Sequence, residues 1–153
     1  MASGKERAVL TGHSGEVRTL AVAPDGSWLA TGSTDETVGI WDVATWQERA
    51  ALTGHTGLVP AVAVAPDGSW LATGGWDKTV RIWDVATHQM RAMTQVAGSV
   101  TTAAWLSPDG LVVGGSEGLH LFSFRAAHGA PTPSGDRDGE AAGGSDPVPR
   151  IAR

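Results

Sequence analysis

The sequence predicts an all-β chain built from a repeated four-stranded antiparallel sheet. Three observations lead there. Residues 10–51 and 52–93 superpose without a gap, and 30 of the 42 aligned positions are identical. Inside each copy, short runs rich in Val, Ile, Thr and Trp are broken by Pro-Asp-Gly at 24–26 and 66–68, a strong turn signal. The segment 37–43 sets Val38, Ile40 and Asp42 against Thr37, Gly39, Trp41 and Val43, the two-residue alternation of a half-buried strand.

The elements follow in order. Residues 16–22 form the first strand and stop at Pro24-Asp25-Gly26; 28–32 form the second, and Thr34-Asp35-Glu36 turns the chain into the third at 37–43. A shorter and more polar run at 47–52 reads as an edge strand. The second copy repeats these at 58–64, 70–74, 79–85 and 89–94.

A third unit keeps the phase but loses its markers. Ser107-Pro108-Asp109-Gly110 lies 42 residues after Ala65-Pro66-Asp67-Gly68, while Ala97 stands where His55 predicts a histidine and Phe122-Ser123 replaces Trp-Asp. Strands are expected at 99–106, 111–114 and 118–124, with no fourth. Residues 5–10 (KERAVL) align with 47–52 (QERAAL), so they read as a fourth strand without its three predecessors. Residues 125–153 are rich in Pro, Gly and Ala and are expected to stay disordered.

The units 12–42 and 54–84, with His-x near the start and Trp-Asp at the end, closely resemble WD40 repeats and are similar to those of bacterial multidomain WD40 proteins. The resemblance covers about 5–124. It implies β-propeller blades, three in this chain with the third degenerate (blade 1 about 10–51, blade 2 about 52–93, incomplete blade 3 about 94–124). It also implies two structural hydrogen-bonded tetrads: His13, Thr31, Asp35 and Trp41, and again His55, Thr73, Asp77 and Trp83. The chemistry suits that role, because a buried indole N–H can only donate and buried His and Thr need partners. In this family an N-terminal strand like 5–10 commonly completes the last blade. Three blades cannot close a ring that needs about 4–8. Two outcomes compete: a homodimer closed by strand exchange, which makes the chain half of an oligomeric ring, or an open arc or fragment of a larger WD40 regulatory protein without activity of its own.

Val17, Leu20, Val22, Leu29, Val38 and Ile40, with Val59, Val62, Val64, Leu71, Val80 and Ile82, are expected to form the core between blades. Trp28 and Trp70 are expected to pack on the outer face, because both copies keep them.

Bulk composition excludes several functions. A formal charge of −5 argues against nucleic-acid binding, which needs clustered Lys and Arg. The chain has no Cys, so thiol catalysis and cysteine metal sites are ruled out. No run reaches the length of a membrane span or a signal peptide, so no membrane partner is expected and the cytoplasm is the expected location. Gly114-Gly115-Ser116-Glu117-Gly118 matches a nucleophile elbow in letters only, since no helix and no downstream His–acid pair accompany it. No phosphate loop, zinc motif or calcium loop is present, so no cofactor or metal is expected.

The differences between the copies point to a surface. Six of the 12 mismatches fall at two turns on one edge of the sheet, including Glu16/Leu58, Arg18/Pro60 and Thr34/Trp76. That rim (Glu16, Arg18, Thr34, Leu58, Pro60, Trp76) is the candidate protein-binding site, with Trp76 at its centre, because exposed aromatics are enriched at interface hot spots. The expected function is a non-enzymatic protein–protein interaction scaffold. The alternative is a small-molecule site in a central channel.

Overall fold

A computed structural model describes residues 3–124, so the expected disorder of 125–153 lies outside the described residues. The chain forms three antiparallel sheets and, among the described residues, no helix. The first sheet runs in sequence order through β1 (Val17–Val22), β2 (Trp28–Ser33), β3 (Val38–Asp42) and β4 (Glu48–Leu52). The second repeats that order with β5 (Ala61–Val64), β6 (Trp70–Gly74), β7 (Thr79–Asp84) and β8 (Gln89–Gln95). The third holds three strands, β9 (Val100–Ser107), β10 (Gly110–Gly115) and β11 (Gly118–Ser123), with β10 in the middle. This is a partial propeller.

The turns are set by local chemistry. After β1 and β5 the chain reverses through Asp25 and Asp67, whose carboxylates accept from the N–H and hydroxyl of Ser27 and Ser69. Gly26 (φ 74°) and Gly68 (φ 79°) occupy the left-handed region these turns require.

The sheets pack face to face with β1, β5 and β9 side by side. Register puts Ala63, Ala72 and Ile82 on one face of the second sheet and Val64, Leu71 and Trp83 on the other. The second set packs against Ala30, Val38 and Ile40 of the first sheet. Ala72, Val80 and Ile82 pack against Val100, Leu111 and Val113 of the third. Backbone bonds tie neighbouring sheets as well, Val59 N–H to Ser33 O at 3.0 Å and Val100 N–H to Gly75 O at 3.1 Å. A Cβ on Gly32 would strike the Val59 carbonyl, and one on Gly74 the Val100 side chain. Glycine at those positions lets the sheets approach closely.

Three expectations need correction. Val17, Leu20 and Val22 are not in the core; they are more than half exposed, because no sheet among the described residues covers that side of the first one. Residues 5–10, expected as a fourth strand, are not paired into any sheet among the described residues. Trp28 is buried in the core between the first two sheets rather than on an outer face, and Trp70 packs partly buried against the second core.

Candidate functional site

Two hydrogen-bonded side-chain networks, one per four-stranded sheet, link buried polar groups. In the second, Trp83 Nε1 donates to Thr73 Oγ1 at 2.9 Å, and Thr73 lies 2.8 Å from His55 Nε2. His55 Nδ1 lies 3.0 Å from Asp77 Oδ2. The Asp77 carboxylate can only accept, so Nδ1–H donates to it. In the neutral ring Nε2 then accepts the Thr73 hydroxyl hydrogen, and the Thr73 oxygen accepts from the indole N–H. In the first sheet the same links measure 2.8 Å (Trp41 to Thr31), 2.7 Å (Thr31 to His13) and 2.9 Å (His13 to Asp35).

Both chains have members that the sequence reading missed. Thr37 and Thr79 donate hydroxyl hydrogens to Asp35 and Asp77 at 2.6 and 2.8 Å, and their N–H groups bond the same carboxylates. The N–H groups of Ser14 and Thr56 add a further donor each. A signal existed: both copies read Asp-x-Thr at this turn, the pattern of a side chain capping its own loop.

Charge follows from these bonds. Burial raises the Asp77 pKa, but the Thr56 N–H, the Thr79 hydroxyl and His55 outweigh it, and the net shift is downward. Asp35 is likewise held low, with burial opposed by Thr37, His13 and Ser14. Burial lowers the His55 pKa below 6.5 and outweighs the pull of Asp77, while Arg81 adds to the lowering. This favours the neutral ring, in which Nε2 is an acceptor. Each side chain of the group is thus hydrogen-bonded to another member of it.

The rim residues lie at the end of the sheets where these histidines sit. Thr34 N–H donates to the Glu16 carbonyl, Glu16 N–H returns to Thr34 Oγ1, and Trp76 N–H donates to the Leu58 carbonyl. Glu16/Thr34 and Leu58/Trp76 therefore occupy matching positions in the two sheets, Arg18 lies at the start of β1 and Pro60 just before β5, and Glu16 and Arg18 are exposed and ion-paired at 3.1 Å. Thr34, Leu58 and Pro60 are half-buried. Trp76 is 54% exposed, with φ > 0 at Lys78 two residues on shaping the turn beneath it.

Two shallow concavities lie elsewhere, one bounded by Trp70, Asp84 and Arg91, the other by Lys5, Arg7, Leu10 and Trp46. Neither contains a tetrad residue. Among the described residues no three His, Asp or Glu side chains converge as metal ligands would. No helix among them is long and apolar enough to cross a membrane.

Comparison with known proteins agrees with this architecture. The sequence pattern described as "WD domain, G-beta repeat" matches residues 4–42 and 46–84, just over half of the chain. The Yarrowia lipolytica pre-mRNA-splicing factor PRP46 is 57% identical over 37 residues, 24% of this chain and 8% of that protein. The Saccharomyces cerevisiae ribosome biogenesis protein ERB1 is 54% identical over 37 residues, 24% of this chain and 5% of that protein. The chain thus spans less than a tenth of the length of these relatives. The Myceliophteria thermophila Cps50 (Swd1) beta-propeller domain superposes at TM-score 0.68 and 22% identity, over 73% of this chain and 36% of the domain. U3-55K superposes at 0.67 and 24% identity, over 69% and 35%. Proteins of this kind are generally non-enzymatic and generally bind other proteins. Repeat pattern, sheet order and superposition agree: the chain belongs to the WD domain, G-beta repeat family.

Proposed function

We propose that the chain is a non-enzymatic protein-binding scaffold whose docking surface is the rim centred on Trp76. The observation that carries this reading is a large indole more than half exposed on a turn, where it fills no core. Desolvating such a side chain is a strong source of association energy, and Trp is enriched among residues that dominate interfaces. The backbone bond from Trp76 to Leu58 brings an apolar residue beside it, and the exposed Glu16–Arg18 pair at the matching end of the first sheet is polar. The variable rim on nearly invariant strands fits a frame that keeps its sheets and changes what it presents.

The relatives PRP46 and ERB1 are named for splicing and ribosome biogenesis, and such roles suit a scaffold. Nothing at the tetrads or concavities supports catalysis. The absence of Cys suits a reducing compartment such as the cytoplasm.

Quantitative pull-down with wild type against Trp76→Ala tests the site. Partners that depend on the rim should fall by about tenfold or more, the loss typical of a hot-spot residue, while the melting temperature stays the same. Equal recovery from both chains removes the rim as the docking surface.

A further inference from the structure

Each sheet has a leading face, turned toward the preceding sheet, and a trailing face, turned toward the next. Trp28 and Asp42 are cross-strand partners at one end of the first sheet, and Trp70 and Asp84 are the same partners in the second. Alternation along the strands puts both pairs on the trailing face, with Ala30 and Ile40 in one sheet and Ala72 and Ile82 in the other. This end of the sheet is opposite the rim, since β6 runs from Trp70 to Gly74 before the turn that carries Trp76.

The two ends are built from the same residues and finished differently. Every residue lining the concavity beside Trp70 has an identical counterpart 42 positions earlier. In the first sheet that end is closed. The second sheet's turn stands against it, where a Cβ on Gly68 would lie 3.6 Å from Pro24 Cδ, and Trp28 is only 5% exposed. Arg49 closes the polar side by donating through Nε and Nη2 to Asp42 Oδ2.

In the second sheet the same end is open. The third sheet is the one in position to cover it, but its turn spans 107–110 where the second sheet's spans 65–70, so it is two residues shorter. The nearest neighbours of a Cβ on Gly110 are Ser107 and Leu106 of its own hairpin, and no third-sheet residue lines the concavity. Trp70 is left half-buried. Asp84 Oδ1 still caps its turn by accepting from the Ala86 and Thr87 N–H groups. Among the described residues its Oδ2 accepts no hydrogen bond, and Arg91 forms no ion pair. The result is a concavity of about 390 Å³, within the size range of small-molecule sites, that holds a carboxylate oxygen, a guanidinium and the uncovered part of an indole.

We infer that this concavity binds a small zwitterion, a free amino acid with an apolar side chain, placing its carboxylate on Arg91, its ammonium on Asp84 Oδ2 and its side chain against Trp70. The chemistry selects the class. A guanidinium takes a carboxylate in a planar fork, a carboxylate oxygen takes an N–H donor, and an indole takes apolar or aromatic surface. A ligand of single charge leaves one of the two groups unmatched. An exposed Asp–Arg pair is weak, so a ligand that sits between the two displaces little. The shortened third sheet is what opens the site. The inference is independent of the rim reading, because the site is formed by β6, β7 and β8 at the other end of the sheet from Trp76.

Titration of the full chain with L-phenylalanine, followed at the indole N–H resonance that Trp70→Phe removes, tests the site. A saturable shift is expected with Kd on the order of 1 mM. N-acetyl-L-phenylalanine, which lacks the ammonium, and L-phenylalaninamide, which lacks the carboxylate, should each bind at least about tenfold more weakly. Arg91→Gln should weaken L-phenylalanine to the same degree and keep the wild-type melting temperature, since Arg91 is exposed. Arg49→Gln, the same change at the closed end, should bind as wild type does. No saturable shift up to about 20 mM, equal binding of the blocked forms, or equal loss from Arg49→Gln and Arg91→Gln overturns the assignment. None of these outcomes bears on the Trp76→Ala pull-down.

Discussion

The leading faces of the first and second sheets are nearly the same surface in two environments. Val17 and Val59 are identical residues at equivalent positions, yet one is 52% exposed and the other 0%. Leu20 is 60% exposed where its counterpart Val62 is 6%. The strands, turns and polar tetrads form equally well in both, so the covering sheet is not needed to build the blade. What it adds is stability. At roughly 25 cal/mol for each Å² of apolar surface removed from water, each side chain it covers contributes on the order of 1–2 kcal/mol. In this molecule burial is a property of the neighbour rather than of the residue.

That contrast can be broken or sharpened by matched substitutions. The largest difference is expected at Leu71→Ala, which empties a packed site and should cost about 3 kcal/mol in chemical denaturation, against about 1 kcal/mol for Leu29→Ala. Equal losses would show that the first sheet is covered after all. Next comes His55→Ala, which removes the acceptor of the Thr73 hydroxyl hydrogen and one donor to Asp77 in a buried site and should cost about 2–3 kcal/mol. His13→Ala, in the less buried copy, should cost less. A thermal melt unchanged by His55→Ala would remove the tetrad's structural role.

A smaller effect is expected from pH. The folded protein holds His55 below 6.5, so the unfolded chain takes up the proton first. Stability from this group is complete above pH 6.5 and falls as pH drops toward the folded value. A melting-temperature profile from pH 7.5 to 5 should show that slope in wild type and a flatter one in His55→Gln. Asp35 and Asp77, both held low, add a second loss only as pH falls below the ordinary carboxylate value of 3.8. The smallest effect is expected at Arg49, whose two bonds to Asp42 at 2.9 and 3.1 Å are solvent-exposed. Arg49→Ala should leave the melting temperature within about 2 °C of wild type.

Much of this was readable in the sequence, and the limits have physical causes. Periodicity places strands because alternation and Pro-Asp-Gly turns are local, and the repeat places His55 with Trp83 because copies at a fixed spacing fold alike. Periodicity cannot show a missing neighbour, which is why Val17, Leu20 and Val22 read as core and are exposed. Residues 5–10 read as a strand because they copy β4, yet pairing depends on a free edge that no local pattern encodes. Trp28 was misplaced for a related reason: its presence in both copies shows that it matters, not which face it covers. Thr37 and Thr79 went unnoticed because a threonine in a β-rich sequence looks like strand filler until its carboxylate partner is seen.

Among the described residues the second sheet is the one covered on both sides, and its neighbours each lean on it by a single face. Opening should therefore start at the two ends of the stack and reach the middle last. Amide exchange would record this as a gradient, with the slowest protons in β6 around Ala72 and Thr73 and faster ones in β1 and β11. A further copy of residues 52–93 inserted after position 93 would give the chain a second such interior, and its resistance to unfolding should rise by more than the inserted sheet contributes alone.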